Sequence, residues 1–202
     1  MTTIFDLIDA GDAAGIRELA TREPSAVAAR DERGLTALMR AAYRGGDVFE
    51  AVRAADPPLD PFDRIIVGDD EDLPAPDTRT PDGFTPLHIA AFVHNTRAAR
   101  HLLGAGADPN VLATASFAQV SPLGTCAFSS ATDIARLLLE HGADTELASD
   151  HGATPLQSAA ANGNRELVEL LLAHGASRVA RNRDGQTAAD VAATDEIREL
   201  LR

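Results

Sequence analysis

A short sequence pattern recurs along the chain at nearly regular intervals. Each copy opens on a threonine or a serine, and successive openings are 49, 36, 33 and 33 residues apart; they are Thr36, Thr85, Ser121, Thr154 and Thr187. Two copies match over a longer stretch, since Gly83–Ala91 reads GFTPLHIAA and Gly152–Ala160 reads GATPLQSAA. Self-similarity at a fixed period indicates a repeat architecture. The chain is therefore expected to fold as an array of stacked units.

The opening of each copy predicts a short helix. A glycine two residues before the threonine, such as Gly83, permits a tight turn with positive φ. Thr85 can cap the helix that follows, and Pro86 suits its first position, where the missing N–H costs nothing. The alanine pair that comes next, Ala90 and Ala91 in this copy, lets neighbouring backbones approach closely. These small residues are therefore predicted to lie in the core.

A second helix is predicted behind the first in each copy. Residues 134–139 (IARLLL) and 167–172 (LVELLL) carry apolar residues at helical spacing. Both stretches are followed by histidine and glycine, His141-Gly142 in one copy and His174-Gly175 in the next. Glycine suits a left-handed residue after a helix, and histidine is favourable beside the negative helix end. Each copy is thus predicted to be a pair of helices.

These residues resemble the ankyrin repeat, whose signature is a period of about 33 residues with a Thr-Pro-Leu-His opening. The resemblance spans five units from Asp31 to Arg202, and residues 1–30 resemble a degenerate N-terminal capping unit. It implies an all-α solenoid of stacked helix-turn-helix pairs with projecting β-turn fingers. It also implies that His88, in the histidine slot, makes a hydrogen bond between adjacent turns. Arginine without lysine suggests a bacterial type.

A solenoid is one continuous body, so we expect a single domain over residues 1–202. The expected parts are an N-terminal cap (1–30), repeat 1 (31–56), an acidic proline-rich insertion (57–80), repeat 2 (80–112), repeat 3 (113–148), repeat 4 (149–181) and a C-terminal cap repeat (182–202).

The insertion accounts for most of the departure from the 33-residue period. The interval of 49 residues exceeds the period by 16, and the surplus lies between Pro57 and Thr80, among many aspartates. A long charged segment of this kind is either mobile or functional; we expect a mobile linker. The interval of 36 residues adds three more near Val111 to Val120, so that turn must also differ.

Composition excludes several classes of function. The net charge is −13, and an acidic excess repels phosphate backbones, so nucleic acid is not expected as a partner. Neither a signal peptide nor a membrane span is evident in the sequence, which predicts a cytoplasmic protein without membrane contact. The histidines and acidic residues show no metal-ligand spacing. We therefore expect no metal, no cofactor and no enzymatic activity.

The lone cysteine, Cys126, could suggest a nucleophile. It stands in the slot that Ala90 and Ala159 fill in other copies. We therefore predict a small buried residue with a raised thiol pKa and little reactivity.

The informative positions are those that the repeat pattern does not dictate. The two residues after each alanine pair are expected to face a concave groove, the first reading Tyr43, Phe92, Phe128 and Ala161 along successive units. Only 4% of residues are aromatic, so three aligned rings predict an apolar stripe that binds a partner. The alternative is that the acidic insertion, or the turns holding Phe84 and Phe117, cover the rings. The candidate partner-binding residues are Arg33, Tyr43, Arg44, Phe84, Phe92, Val93, Phe128, Ser129, His151 and Asn162.

We interpret the chain as a monomeric, non-catalytic module that binds a partner protein in its groove. The acidic field favours a basic partner. Three alternatives stay open at this point. The first is an inhibitor or immunity-type protein that masks a basic enzyme or toxin, the second is an enzyme accessory with a site built by residues 57–80, and the third is self-association through the aromatic stripe.

Overall fold

A computed structural model describes residues 2–202 of the chain. Met1, with which the predicted N-terminal cap begins, lies outside the described residues. Residues 2–202 contain no β-strand, one 3-10 helix (Pro24–Ala28) and thirteen α-helices: α1 (Ile4–Ala10), α2 (Ala13–Arg22), α3 (Ala37–Arg44), α4 (Gly46–Ala54), α5 (Pro61–Val67), α6 (Pro86–Phe92), α7 (Thr96–Gly104), α8 (Pro122–Ser129), α9 (Thr132–Glu140), α10 (Pro155–Ala161), α11 (Arg165–Ala173), α12 (Ala188–Val191) and α13 (Asp195–Leu201).

The helices form two stacked rows. An inner row runs α1, α3, α5, α6, α8, α10, α12, and each member packs against the one before and the one after it. Outer helices pack behind it, with α2 against α4, α7 against α9 and α9 against α11. An inner helix and the outer helix that follows it also pack together, as in α3 with α4 and α6 with α7. The prediction of an all-α solenoid of helix pairs is confirmed.

Small residues allow the inner helices to pack closely. Ala90 and Ala91 of α6, Cys126 of α8, and Ala159 and Ala160 of α10 are all 0% exposed. The prediction that these slots are core is confirmed. Burial raises the pKa of the Cys126 thiol, which keeps it in the unreactive protonated form.

The turn before α6 needs glycine. Gly83 has a φ of +96°, a region that favours glycine, and a Cβ on it would lie 2.7 Å from the backbone nitrogen of Ala115 in the next turn. The carbonyl of Gly83 accepts a hydrogen bond from the backbone N–H of Thr114 at 3.0 Å. Successive turns are therefore in direct backbone contact.

The expectation of a mobile linker over residues 57–80 is wrong. Residues 61–67 form helix α5, which packs between α3 and α6 in the inner row and buries Ile65 and Ile66. Asp60 caps this helix, and the side chain of Asp63 accepts the backbone N–H of Asp60 in return. Aspartate thus does here what threonine and histidine do in the opening of α6.

The acidic run after α5 takes the place of an outer helix. The side-chain amide of Asn95, the N-cap of α7, donates to the carbonyls of Ile65 and Asp69, each at 3.1 Å. The Asp70 carboxylate lies 2.9 Å from the Arg97 guanidinium in the first turn of α7. Carboxylates are favourable near a helix N-terminus. The insertion therefore forms one inner helix, α5, and an acidic segment without a helix that contacts α7 where an outer helix would lie.

His88 makes the predicted hydrogen bond between adjacent turns. Its Nδ1 accepts the backbone N–H of Thr85 at 3.3 Å, so the proton stays on Nε2, which donates to the Val120 carbonyl at 2.8 Å. Burial, more than any other factor, lowers the pKa of His88 to about 4. A second proton on Nδ1 would remove the acceptor that Thr85 uses.

The chain itself provides a substitute for His88 that does not titrate. In the next but one unit, Oε1 of Gln157 accepts the Thr154 N–H at 2.8 Å, and its Nε2 donates to the carbonyls of Ala180 and Gln186 at 3.0 and 2.7 Å. A glutamine therefore fits this slot without change of the fold.

We predict that His88→Gln removes an acid-sensitive part of the stability. The folded-state pKa is depressed, so the neutral imidazole stabilises the fold above the unfolded pKa near 6.5, and this stabilisation is lost as the pH falls through about 4. Between about pH 7 and about pH 4, wild type should lose about 3 kcal/mol more unfolding free energy than His88→Gln does. Urea titrations at several pH values measure this difference.

His151→Gln, at an exposed imidazole, is the matched control and should follow wild type. Identical pH profiles for wild type and His88→Gln would contradict the account of His88.

The pH dependence of stability that Asp63 causes is expected to have the opposite sign to that of His88. Its side chain is buried and accepts the Thr36 hydroxyl at 2.6 Å, yet burial dominates and raises its pKa to about 6. A raised pKa stabilises the fold at low pH, and this contribution disappears as the pH rises from about 4 through about 6. From about pH 4 to about pH 7, the unfolding free energy of Asp63→Asn should gain about 2 kcal/mol relative to wild type.

Thermal and urea denaturation of Asp63→Asn, beside the exposed control Asp77→Asn, measure that gain. A constant difference between Asp63→Asn and wild type at all pH values would show that the buried carboxyl is not the titrating group.

Candidate partner-binding groove

The concave face of the inner row carries an apolar groove of about 550 Å³ between α3, α6, α8 and α10. We call it the aromatic groove; among the residues that line it are Tyr43, Phe84, Phe92, Phe117, Phe128 and His151. A cavity of this size with a mostly apolar lining is typical of a binding site. Tyr43, Phe92 and Phe128, which were predicted to form a stripe, are thus brought together, with Phe84 and His151 beside them.

Two ring contacts fix the geometry of the groove. Tyr43 and Phe92 meet edge to face with centroids 5.5 Å apart, and Phe84 and Phe117 are 5.8 Å apart. Aromatic pairs of this kind contribute about 0.5–1.5 kcal/mol beyond their buried area. These four rings are therefore held in place before any partner arrives.

The rings are exposed to different extents. Phe128 is 70% exposed, Phe117 57% and Tyr43 37%, whereas Phe84 and Phe92 are half-buried. The alternative that the acidic insertion covers the rings is wrong, because α5 lies inside the stack and no residue of 57–80 lines the groove. The turns that hold Phe84 and Phe117 line the groove without covering Phe128.

In three of the four units, the second residue after the alanine pair does not face the groove as expected. Ser129 donates its hydroxyl to the carbonyl of Ala91 at 2.9 Å. Asn162 donates its side-chain amide to the carbonyl of Ala127 at 2.9 Å, and Val93 packs against the core. Because the C-terminal carbonyls of a helix lack partners within it, Ser129 and Asn162 satisfy carbonyls of the preceding inner helix. Ser129 and Asn162 therefore connect neighbouring units, whereas Val93 packs against the core.

A second cavity, of about 450 Å³, adjoins the aromatic groove at the N-terminal side. We call it the arginine pocket; its charged lining residues are Asp9, Arg33, Arg40, Arg44 and Asp82. Tyr43 and Phe117 line both cavities, so the two open into one continuous surface. Arg33 and Arg44, predicted to border the groove, lie in this pocket.

Hydrogen bonds fix the position of Tyr43 where the two cavities meet. The Tyr43 hydroxyl donates to the Asp82 carboxylate at 2.9 Å, and the Thr80 hydroxyl donates to its other oxygen at 2.6 Å. Burial and the negative charge of Asp82 raise the pKa of Tyr43 well above its usual range, so the hydroxyl stays protonated as a donor. Tyr43 is thus fixed by its ring and by its hydroxyl.

Phe117 is a groove residue that the sequence analysis did not select. It lies at the tip of an elongated finger in which the Ala113 N–H donates to the Val120 carbonyl at 2.9 Å and Ala115 pairs with Ala118. The three residues by which this interval exceeds the period lengthen the finger. The three extra residues were the sequence signal that could have identified Phe117 as a groove residue, since a longer finger reaches further over the groove.

A glycine lets this finger pack closely against α8. Gly124 occupies the slot that His88 and Gln157 fill in other units, and a Cβ there would lie 2.6 Å from Cγ2 of Val120. Gly124 and Val120 both line the aromatic groove. The groove therefore lies where the third unit departs from the repeat pattern.

Among residues 2–202, no three histidine, cysteine, aspartate or glutamate side chains cluster closely enough to hold a metal. A smaller cavity, of about 190 Å³, lies beside Asp60 and Asp63, whose carboxylates are engaged in capping α5. None of the helices in this part is long and apolar enough to cross a membrane.

Comparison with known proteins agrees with this architecture. The family model described as ankyrin repeats (3 copies) matches residues 54–149 and 123–202. No curated protein matches the chain significantly. The family match covers most of the chain and coincides with the stacked helix pairs from α6 onward. The chain belongs to the ankyrin repeat family.

Proposed function

We propose that this chain is a non-catalytic module that binds a partner protein in the aromatic groove. Ankyrin repeats are generally protein–protein interaction modules and are typically non-catalytic. The observation that carries the proposal is the exposure of Phe117 and Phe128, 57% and 70%, on one continuous concave surface. Exposed apolar patches of this kind usually mark interaction sites.

The energetics of the groove support the proposal. An aromatic side chain buries about 150–250 Å² when it is fully covered, at about 25 cal/mol per Å². Covering the exposed part of Phe128 therefore contributes about 3 kcal/mol of binding free energy. The neighbouring rings are already fixed by their contacts, so little ordering cost opposes this gain.

Residues 57–80 offer less support for an enzyme accessory. Asp60 and Asp63 cap α5, Asp69 pairs with Arg64, and Asp70 pairs with Arg97. An acid–base pair needs carboxylates that are free to meet a substrate. These four aspartates instead stabilise the stack.

The inhibitor or immunity-type alternative depends on the net charge of −13. An acidic field accelerates encounter with a basic enzyme or toxin, and the acceleration falls as salt rises. The basic character of the partner, the monomeric state and the cytoplasmic location stay predictions.

We predict that Phe117→Ala/Phe128→Ala abolishes capture of the partner from an extract of the native cells. Both rings are largely exposed, so their removal should change the unfolding free energy by no more than about 1 kcal/mol. Loss of two anchors should weaken binding by at least about 30-fold, in the range of interface hot spots. Quantitative mass spectrometry of the captured proteins measures the loss.

Val179→Ala is the matched control, because Val179 is an apolar side chain that is 78% exposed and does not line the groove. It should retain the partner. Equal capture by Phe117→Ala/Phe128→Ala and wild type would overturn the proposal. A concentration-dependent mass in light scattering, abolished by the same double substitution, would replace it with self-association.

A further inference from the structure

The aromatic groove and the arginine pocket form one surface that is apolar on one side and charged on the other. Tyr43 and Phe117 belong to both, so a single bound segment that contacts these rings reaches the apolar side and the charged side together. The charges of the arginine pocket therefore bear on what kind of segment binds, if the groove is the docking surface proposed above.

Most charges around the arginine pocket are already satisfied. Arg40 pairs with Asp9 and with Asp31, at 2.5 and 2.7 Å. Asp82 accepts hydroxyl hydrogens from Tyr43 and Thr80. The negative groups facing the pocket thus have partners within the protein.

Arg33 and Arg44 differ from Arg40. Within residues 2–202 neither guanidinium has a carboxylate within 4.0 Å, and both side chains are exposed at the pocket. Arg44 packs beside the backbone of Gly11, where its Nη2 would lie 3.0 Å from an added Cβ. Two cations thus face the pocket without an acidic partner in the described part of the chain.

Among the described residues 2–202, no arginine lines the far end of the aromatic groove. His151 lies 4.0 Å from the Asp150 carboxylate, and the other lining residues there, such as Ala153 and Ser158, are uncharged. Among the arginines that line the two cavities, those without a carboxylate partner therefore lie at the end near α3, while the rings and small residues line the rest.

We infer that the docking segment of the partner is a peptide in which an apolar side chain lies within a few residues of an aspartate or glutamate. The apolar side chain covers Phe128 and Phe117, and the carboxylates pair with Arg33 and Arg44. Guanidinium groups bind carboxylates in a planar two-point geometry, which gives this end of the groove its selectivity.

This inference differs from the expectation of a basic partner, which came from the net charge alone. Overall charge acts at long range and is screened beyond about 8 Å at physiological salt. Contacts within the groove are shorter than that, so the local arginines decide which side chains fit. A partner can therefore present an acidic segment here even though the chain carries a charge of −13.

A random peptide library displayed on phage tests the inference. We expect wild type to enrich peptides in which phenylalanine, leucine or tryptophan stands near aspartate or glutamate. An enriched peptide, labelled for fluorescence polarisation, should bind Arg33→Glu/Arg44→Glu at least about 30-fold more weakly, as for a truncated charge pair. Arg100→Glu, at an exposed arginine of α7 outside both cavities, is the matched control and should bind like wild type.

The charge-reversed protein also provides a test that a folding defect cannot imitate. Panning against Arg33→Glu/Arg44→Glu should select apolar peptides that carry lysine or arginine, because the sign of the pocket has changed. An unfolded protein would not select a new, defined sequence class.

The outcomes separate this inference from the proposed function. Enrichment of neutral or basic peptides that bind wild type and Arg33→Glu/Arg44→Glu equally, yet need Phe117 and Phe128, overturns the acidic segment and leaves groove binding in place. Absence of any peptide whose binding depends on Phe117 and Phe128 overturns both.

Discussion

Close approach of neighbouring inner helices is the constraint on which the rest of the structure depends. Ala90, Ala91, Cys126, Ala159 and Ala160 are fully buried where these helices meet, and a larger side chain there would force them apart. Because the contact repeats, the residue that follows each pair takes the same position in successive units. That repetition aligns Tyr43, Phe92 and Phe128 along one groove, so a local packing requirement produces a functional surface.

The helix pairs were predictable because their signals are local: a capping threonine, a proline in the first turn, an alanine pair and a terminal glycine. Helix α5 was missed because its opening uses different residues for the same work. Asp60 caps it and Asp63 returns the hydrogen bond, whereas the sequence analysis weighed these aspartates as part of a charged linker. Aspartate can make the same capping hydrogen bonds as threonine and histidine, but a sequence pattern based on residue identity does not include it.

The groove was predictable in part. Tyr43, Phe92 and Phe128 follow from the register of the units, but Ser129 and Asn162 occupy equally regular positions and bind neighbouring carbonyls instead. The spacing of residues along the sequence does not distinguish a side chain that faces a partner from one that donates to a carbonyl at the end of a neighbouring helix. The contribution of Phe117 depends on the path of the 113–120 finger, and the selectivity of the arginine pocket depends on which arginines already have partners. Both are properties of the folded chain.

Hydrogen–deuterium exchange of the chain, with and without its bound partner, tests the central claim most directly. The amides of the 113–120 finger, of α8 and of residues 33–44 should become more protected in the complex, because they surround the aromatic groove and the arginine pocket. Residues 57–80 and α13 should exchange at unchanged rates. Protection confined to residues 57–80 or to the outer helices would contradict the account.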